Sequence, residues 1–170
     1  QTLQPNGNPS YCLADFIAPK DFGVTDYIGL FTVTAGTEVD GLVESFKKQG
    51  DDYSAMLVRF LADRIAEAFA EKLHYDVRKR YWAYAPDEDN DVVHMLRTAY
   101  RGRRMAFGYP ACPDHSQKEI VFKLLNVTQE MGISLTESYM MQPVSSVCGM
   151  FFAHPEIHYF GIGEIGEEQK

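Results

Sequence analysis

Three cysteines in 170 residues, an odd number in unlike surroundings, make no disulfide framework, so Cys12, Cys112 and Cys148 are expected as free thiols in a reducing compartment. No apolar run approaches the ~18 residues of a membrane span, and the stretch QTLQPNGNPS has neither a basic nor an apolar region. No membrane association is expected, and the protein is read as cytoplasmic. Positive charge is scarce: 16 Lys and Arg stand against 24 Asp and Glu, a net charge of −8. That balance disfavours nucleic acid and anionic lipid as partners, and opposes a cationic small molecule less. Internal repeats, low-complexity tracts and linkers are also missing, so residues 1–170 read as one domain. With 45% hydrophobic and 13% aromatic residues, that domain can hold a packed core.

Chemical signatures are equally sparse. Cys112 and His115 have the spacing of half a zinc site, but no second pair stands at metal spacing, so no metal is expected. A nucleophilic Cys–His pair lacks an orienting third group, and no catalytic residue is assigned. Gly161-Ile-Gly163-Glu-Ile-Gly166 spells a dinucleotide fingerprint, yet only EEQK follows it, with no helix start to hold a pyrophosphate. His154 before Pro155 reads as a turn residue.

What is present has an α+β order. YIGLFTVTAG is apolar on both alternations and predicts a doubly buried strand ended by Gly36. Thr37 can cap a helix to about Lys48, with Gly50 as its stop, and Asp51 or Asp52 opens the longest helix, to about Trp82. Tyr84-Ala85-Pro86 breaks it. A short helix with Val92, Val93, Leu96 and Tyr100 follows the turn DEDND. Ser116 and Glu119 form a capping-box pair for a helix carrying Ile120, Leu124 and Val127 to Gly132. The runs LTESYMM, VSSVCGMFFA and IHYFGIG then suggest antiparallel hairpins, so one strand, a block of helices and clustered strands make an α+β fold with an antiparallel sheet.

Two stretches are candidates for function. In RGRRMAFGYPACPDHSQK, Gly108 permits unusual backbone, and Tyr109 and Cys112 are each held extended by a following proline. Ala106 and Ala111 are small enough to let a ligand reach the main chain, and Arg104 suits a carboxylate. The same residues also fit a structural loop with solvated arginines. On the long helix Asp63 and Glu67 share a flank beside the apolar stripe Leu57, Leu61 and Ala68. They belong either to a solvated flank with Arg64 and Lys72 or to a cavity or partner face.

The pattern R-x-x-x-G-Y-P-A-C-P at 104–113 resembles the S-adenosylmethionine-binding signature of the reactivation domain of cobalamin-dependent methionine synthase. YCLADFIAPK at 11–20, DYIGLF at 26–31, LADRIAEAFAEKLH at 61–74, LTES at 135–138 and HPEIHYFGIG at 154–163 extend the resemblance along nearly the whole chain. It implies a twisted antiparallel sheet with flanking helices. It also implies a module that delivers S-adenosylmethionine so that oxidised cobalamin, held by another domain or chain, is reductively methylated, with electrons from flavodoxin or a diflavin reductase. The module alone would not be catalytic within this enzyme of methionine biosynthesis.

By the same resemblance Arg104 holds the methionine carboxylate, Ala106 and Gly108 offer main-chain contacts, and Tyr109 lines the pocket. Tyr159 and Phe160 form a second binding stretch, Glu67 lies near the sulfonium, and Asp63 faces the cobalamin module. Met105 and Phe107 replace two prolines of the family's pattern, which implies a less stiff loop. The family's N-terminal portion, with an acidic ligand, and its C-terminal helix have no counterpart in these residues, as in a fragment, a reduced version or one chain of a split enzyme. Methyl transfer from a sulfonium to a reduced cobalamin moves no proton, so positioning and water exclusion are required of the module, and no acid–base pair. An independent methyltransferase on a small substrate, and a docking module without ligand, are the alternatives.

Overall fold

The expected strand, β1 (Gly29–Thr34), buries Phe31, Thr32 and Val33 in succession, so both of its faces are covered. The computed structural model describes residues 10–89 and 91–162. β1 pairs antiparallel with β5 (Ser146–Phe152), and the other edge of β5 takes β2 (Arg103–Ala106), also antiparallel, giving the order β1-β5-β2. A separate two-stranded hairpin joins β3 (Ser134–Leu135) to β4 (Met141–Gln142). The α+β expectation holds.

Strand alternation assigns the two sheet faces. Phe31, Val33, Val147 and Phe151 meet α2 (Asp52–Asp76), with Phe31 and Phe151 stacked at 4.5 Å. Leu30, Cys148 and Met150 turn the other way, toward α4 (Lys118–Leu124) and α5 (Val127–Met131), where Val121, Phe122, Val127 and Ile133 are buried with Phe107. Met105 and Phe152 extend this second face into a cluster with Phe16, Ala111 and Ile157, against which Tyr11 and Phe160 pack. α1 (Val39–Lys48) lies along α2, and α3 (Val92–Leu96) is one short turn of helix.

Helix α2 buries Ala55, Ala62, Ala66, Ala70 and His74; Ala70 packs with Phe31, Val33 and Phe151 of the sheet, and His74 stacks on Phe151 at 4.9 Å. The expected apolar stripe is therefore on the wrong side: Leu57 and Leu61 are exposed, along with Tyr53, Met56, Phe60, Ile65 and Phe69. The reason is steric. The sheet already presents the Phe31–Phe151 pair, and only small side chains let the helix axis approach it. As anticipated, the helical path runs on to Trp82, through a π-helical turn at Val77–Tyr81 that carries the fully buried Arg78.

Caps differ in detail. Asp51 does open α2, accepting from Ser54 N at 2.9 Å, but Thr37 caps nothing, since Glu38 holds that position of α1. The Ser116–Glu119 box does not form; Asp114, a stronger acceptor held in extended backbone, takes both the Ser116 amide and its hydroxyl at 2.8 Å. The single helix expected to Gly132 is broken between α4 and α5 by Asn126 at φ 51°, and Ile120 and Leu124 face out while Val121 and Phe122 face in. LTESYMM is not one strand but the turn of the β3–β4 hairpin and its flanks. IHYFGIG forms no strand among the described residues; Ile157 anchors it irregularly in the core. Residues 163–170, with most of the glycine fingerprint, lie outside the described residues.

Candidate functional site

The arginine-rich segment is half strand and half turn. Period-two alternation in β2 sends Met105 into the core opposite Met150, and Arg104 and Ala106 toward α2 opposite Phe151 and Gly149. Met105 and Phe107 are both buried, so sheet pairing and core packing hold the part of the segment where the family's prolines are replaced. Ala111 is likewise a core residue beside Phe16 and Met105, and offers no approach to a ligand. Gly108, at φ +90°, turns the chain; its amide donates to the Cys112 carbonyl at 2.8 Å. A Cβ there would stand 2.2 Å from the His115 ring, so glycine is needed for this packing as well as for the turn.

Between β2, the start of β5 and the flank of α2 lies a cavity of about 240 Å³. Of the residues singled out in the sequence, Glu67, Arg104, Ala106, Tyr109 and Tyr159 line it. Gly108 and Phe160 do not; Phe160 packs on Phe16 at 5.8 Å and on Tyr11 at 5.9 Å in the aromatic cluster. An adjoining recess of about 280 Å³ shares Glu67, Ser146 and Val147 with the cavity and holds Asp63 and Arg64. Asp63 therefore stands one helical turn from the cavity, with the buried Ser145 hydroxyl donating to its Oδ1 at 2.6 Å. Together the two spaces reach the ~300–1,000 Å³ of ordinary small-molecule sites.

Charge is disposed around this space in a definite order. Arg104 Nη1 donates to Glu71 Oε2 at 2.8 Å, with both side chains largely buried. The Tyr100 hydroxyl donates to the same Glu71 oxygen at 3.5 Å, and the Arg78 guanidinium lies 3.7 Å from the Tyr100 ring centroid while it grips Glu88 with two bonds. Tyr159 donates its hydroxyl to the Arg104 carbonyl at 2.6 Å, and burial pushes its phenol above the ordinary value.

Lys118, only 4% exposed, lines the cavity's other side, donating to the Tyr139 carbonyl at 3.0 Å and to His115 Nδ1 at 2.9 Å. Its burial pulls the ammonium pKa down. Glu67 brings a carboxylate without any neutralising partner among the described residues, which suits a ligand cation.

Sequence reasoning missed Glu71 and Lys118. For Glu71 a signal existed, because Asp63, Glu67 and Glu71 recur every fourth residue along one flank. For Lys118 none did: a lysine beside a helix start reads as solvated. Among the described residues no group of three or more His, Cys, Asp or Glu side chains is placed to hold a metal ion.

The family described as vitamin B12 dependent methionine synthase, activation domain, matches residues 1–170. A crystal structure of the MetH reactivation domain bound to AdoHcy superposes with a TM-score of 0.94 at 49% sequence identity. The match covers 98% of this chain and 51% of the other, so this chain spans about half the length of that one.

Proposed function

The chain belongs to the family of vitamin B12-dependent methionine synthase activation domains, and from that premise we propose that it binds S-adenosylmethionine in the cavity between α2 and the sheet. The amino-acid carboxylate meets Arg104, the sulfonium lies near Glu67, and Tyr109 and Tyr159 wall the site with aromatic faces that attract a cation by ~0.5–2 kcal/mol. The observation that carries this reading is the convergence of Glu67, Arg104, Ala106, Tyr109 and Tyr159, from three distant parts of the sequence, on one cavity. The AdoHcy held by a structure 49% identical supports it.

Cobalamin, carried by another domain or chain, supplies in its reduced form the nucleophile that takes the methyl group. This chain's residues have no proton to move in that step. Their work is to orient the sulfonium through the carboxylate clamp and the Glu67 charge, and to exclude water from it. The module is thus not a catalyst by itself, and residues 1–170 act as one unit. The recess with Asp63 opens beside Glu67, and this acid flank of α2 faces the cobalamin-bearing partner. The electron comes from a flavodoxin or diflavin reductase, in the cytoplasm. Among the described residues no helix is long and apolar enough to cross a membrane.

Calorimetric titration with S-adenosylmethionine and with AdoHcy tests the reading. One site of saturable heat for each is expected, and no heat from either ligand refutes it.

A further inference from the structure

We propose that Glu71 is the positioning residue for Arg104, setting the guanidinium so that one particular edge is offered to a ligand carboxylate; this deepens, and rests on, the S-adenosylmethionine reading. Glu71 does not line the cavity and Arg104 does, so Glu71 acts on a ligand only through the arginine. Its Oε2 takes Arg104 Nη1 at 2.8 Å. The Nε and Nη2 edge of the same guanidinium makes no hydrogen bond among the described residues.

That edge is the one this protein uses elsewhere for a carboxylate: Arg78 binds Glu88 through Nε at 2.7 Å and Nη2 at 2.8 Å. The anchoring continues outward from Glu71. The Tyr100 hydroxyl donates to the oxygen that holds Arg104, and the Tyr100 ring lies beneath the Arg78 guanidinium at 3.7 Å. The main chain of Arg104 is held by pairing with Phe151 and by the Tyr159 hydroxyl on its carbonyl. Backbone and one terminal nitrogen are therefore fixed, and a planar fork held at those points presents its remaining edge in one orientation.

The competing possibility is that Glu71 occupies Arg104 at the ligand's expense, and the two differ in sign. Wild type, Glu71→Gln and Glu71→Ala are titrated calorimetrically with AdoHcy and with 5′-methylthioadenosine, which lacks the amino-acid carboxylate. For AdoHcy, about a tenfold loss is expected in Glu71→Ala and about threefold in Glu71→Gln, whose amide oxygen still accepts from Nη1. Binding of 5′-methylthioadenosine stays within twofold. In the Arg104→Ala background Glu71→Gln changes AdoHcy binding no further.

Tighter AdoHcy binding by either variant overturns positioning in favour of competition. Equal losses for both probes, or a loss that persists without Arg104, overturn it in favour of a structural role. Should Glu71→Ala not fold, Glu71→Gln decides alone, and an unchanged AdoHcy affinity refutes the proposal. Wild type that binds neither probe refutes the ligand reading itself, whatever the variants do.

Discussion

Under the proposed function, replacing Arg104 by alanine separates two tasks assigned to one guanidinium. On the binding side, the substitution removes a side-on pair of charge-assisted hydrogen bonds to the ligand carboxylate, worth ~1.5–3 kcal/mol, or about 10- to 150-fold in Kd. On the folding side, it removes the bond to Glu71, whose carboxylate keeps the Tyr100 hydroxyl at 3.5 Å. The pair is 20% and 27% exposed, so solvent already screens part of it, and the net loss is about 1 kcal/mol. For a chain of this size that is a fall of roughly 2–4 °C in Tm.

Arg101 and Arg103 provide the contrast, because neither lines the cavity. Arg101 donates to the carbonyls of Ala153 at 2.9 Å and Tyr84 at 3.3 Å, and Arg103 to those of Tyr100 at 2.8 Å and Gly102 at 2.7 Å. Alanine at either position costs ~0.5–1.5 kcal/mol of stability per bond and leaves Kd within about twofold. Lysine at 104 restores only part of the affinity, since a point charge has no fork. Calorimetric Kd for S-adenosylmethionine is measured beside the thermal midpoint of each variant. Equal affinity losses at all three positions would mean a diffuse electrostatic effect, and a collapse of Tm in Arg104→Ala alone would make the arginine structural; either refutes the reasoning.

Glu67→Gln removes the carboxylate nearest the expected sulfonium, so S-adenosylmethionine binding falls several-fold while AdoHcy, a neutral thioether, changes less than twofold; equal effects on the two ligands in the same titration would sink the assignment. Asp63→Asn keeps an acceptor for Ser145 but loses the charge, so association with a cobalamin-bearing partner slows and loses salt dependence while S-adenosylmethionine affinity and Tm hold; unchanged association by surface plasmon resonance at low salt would count against that face. For His74, burial first and then the charges of Arg78, Arg104 and Arg103 hold the imidazole pKa down at about 2. The unfolded chain takes a proton near pH 6.5 and the folded one does not, so stability is full above that value and declines as pH falls, by ~1.5–2 kcal/mol from pH 6.5 to 5. His74→Phe, which keeps the stacking on Phe151 at 4.9 Å, should flatten that slope in urea titrations; parallel slopes for the two proteins would contradict it.

The sequence by itself determined those features that arise between near neighbours. The doubly apolar run at 28–33 specified a buried strand, Asp51 and Gly50 marked a helix boundary, and the run at 144–153 specified a strand, though not its central place in the sheet. Arg104, Glu67, Tyr109 and Tyr159 were singled out as candidates through a family pattern, and the structure lines one cavity with all four. Features decided by tertiary packing were not legible. Periodicity marks an apolar face but not which apolar face a partner accepts: the aromatic pair on the sheet selected the alanines of α2 over Leu57 and Leu61. Four residues of β2 read as loop because their partner, β5, lies more than forty residues away, and only that pairing puts Arg104 on the α2 side and Met105 in the core. The same pairing brought Glu71 against Arg104. A hydrogen bond between residues 33 apart depends on where a helix settles on a sheet, and that position is fixed by the packing of both elements together, which no local spacing encodes.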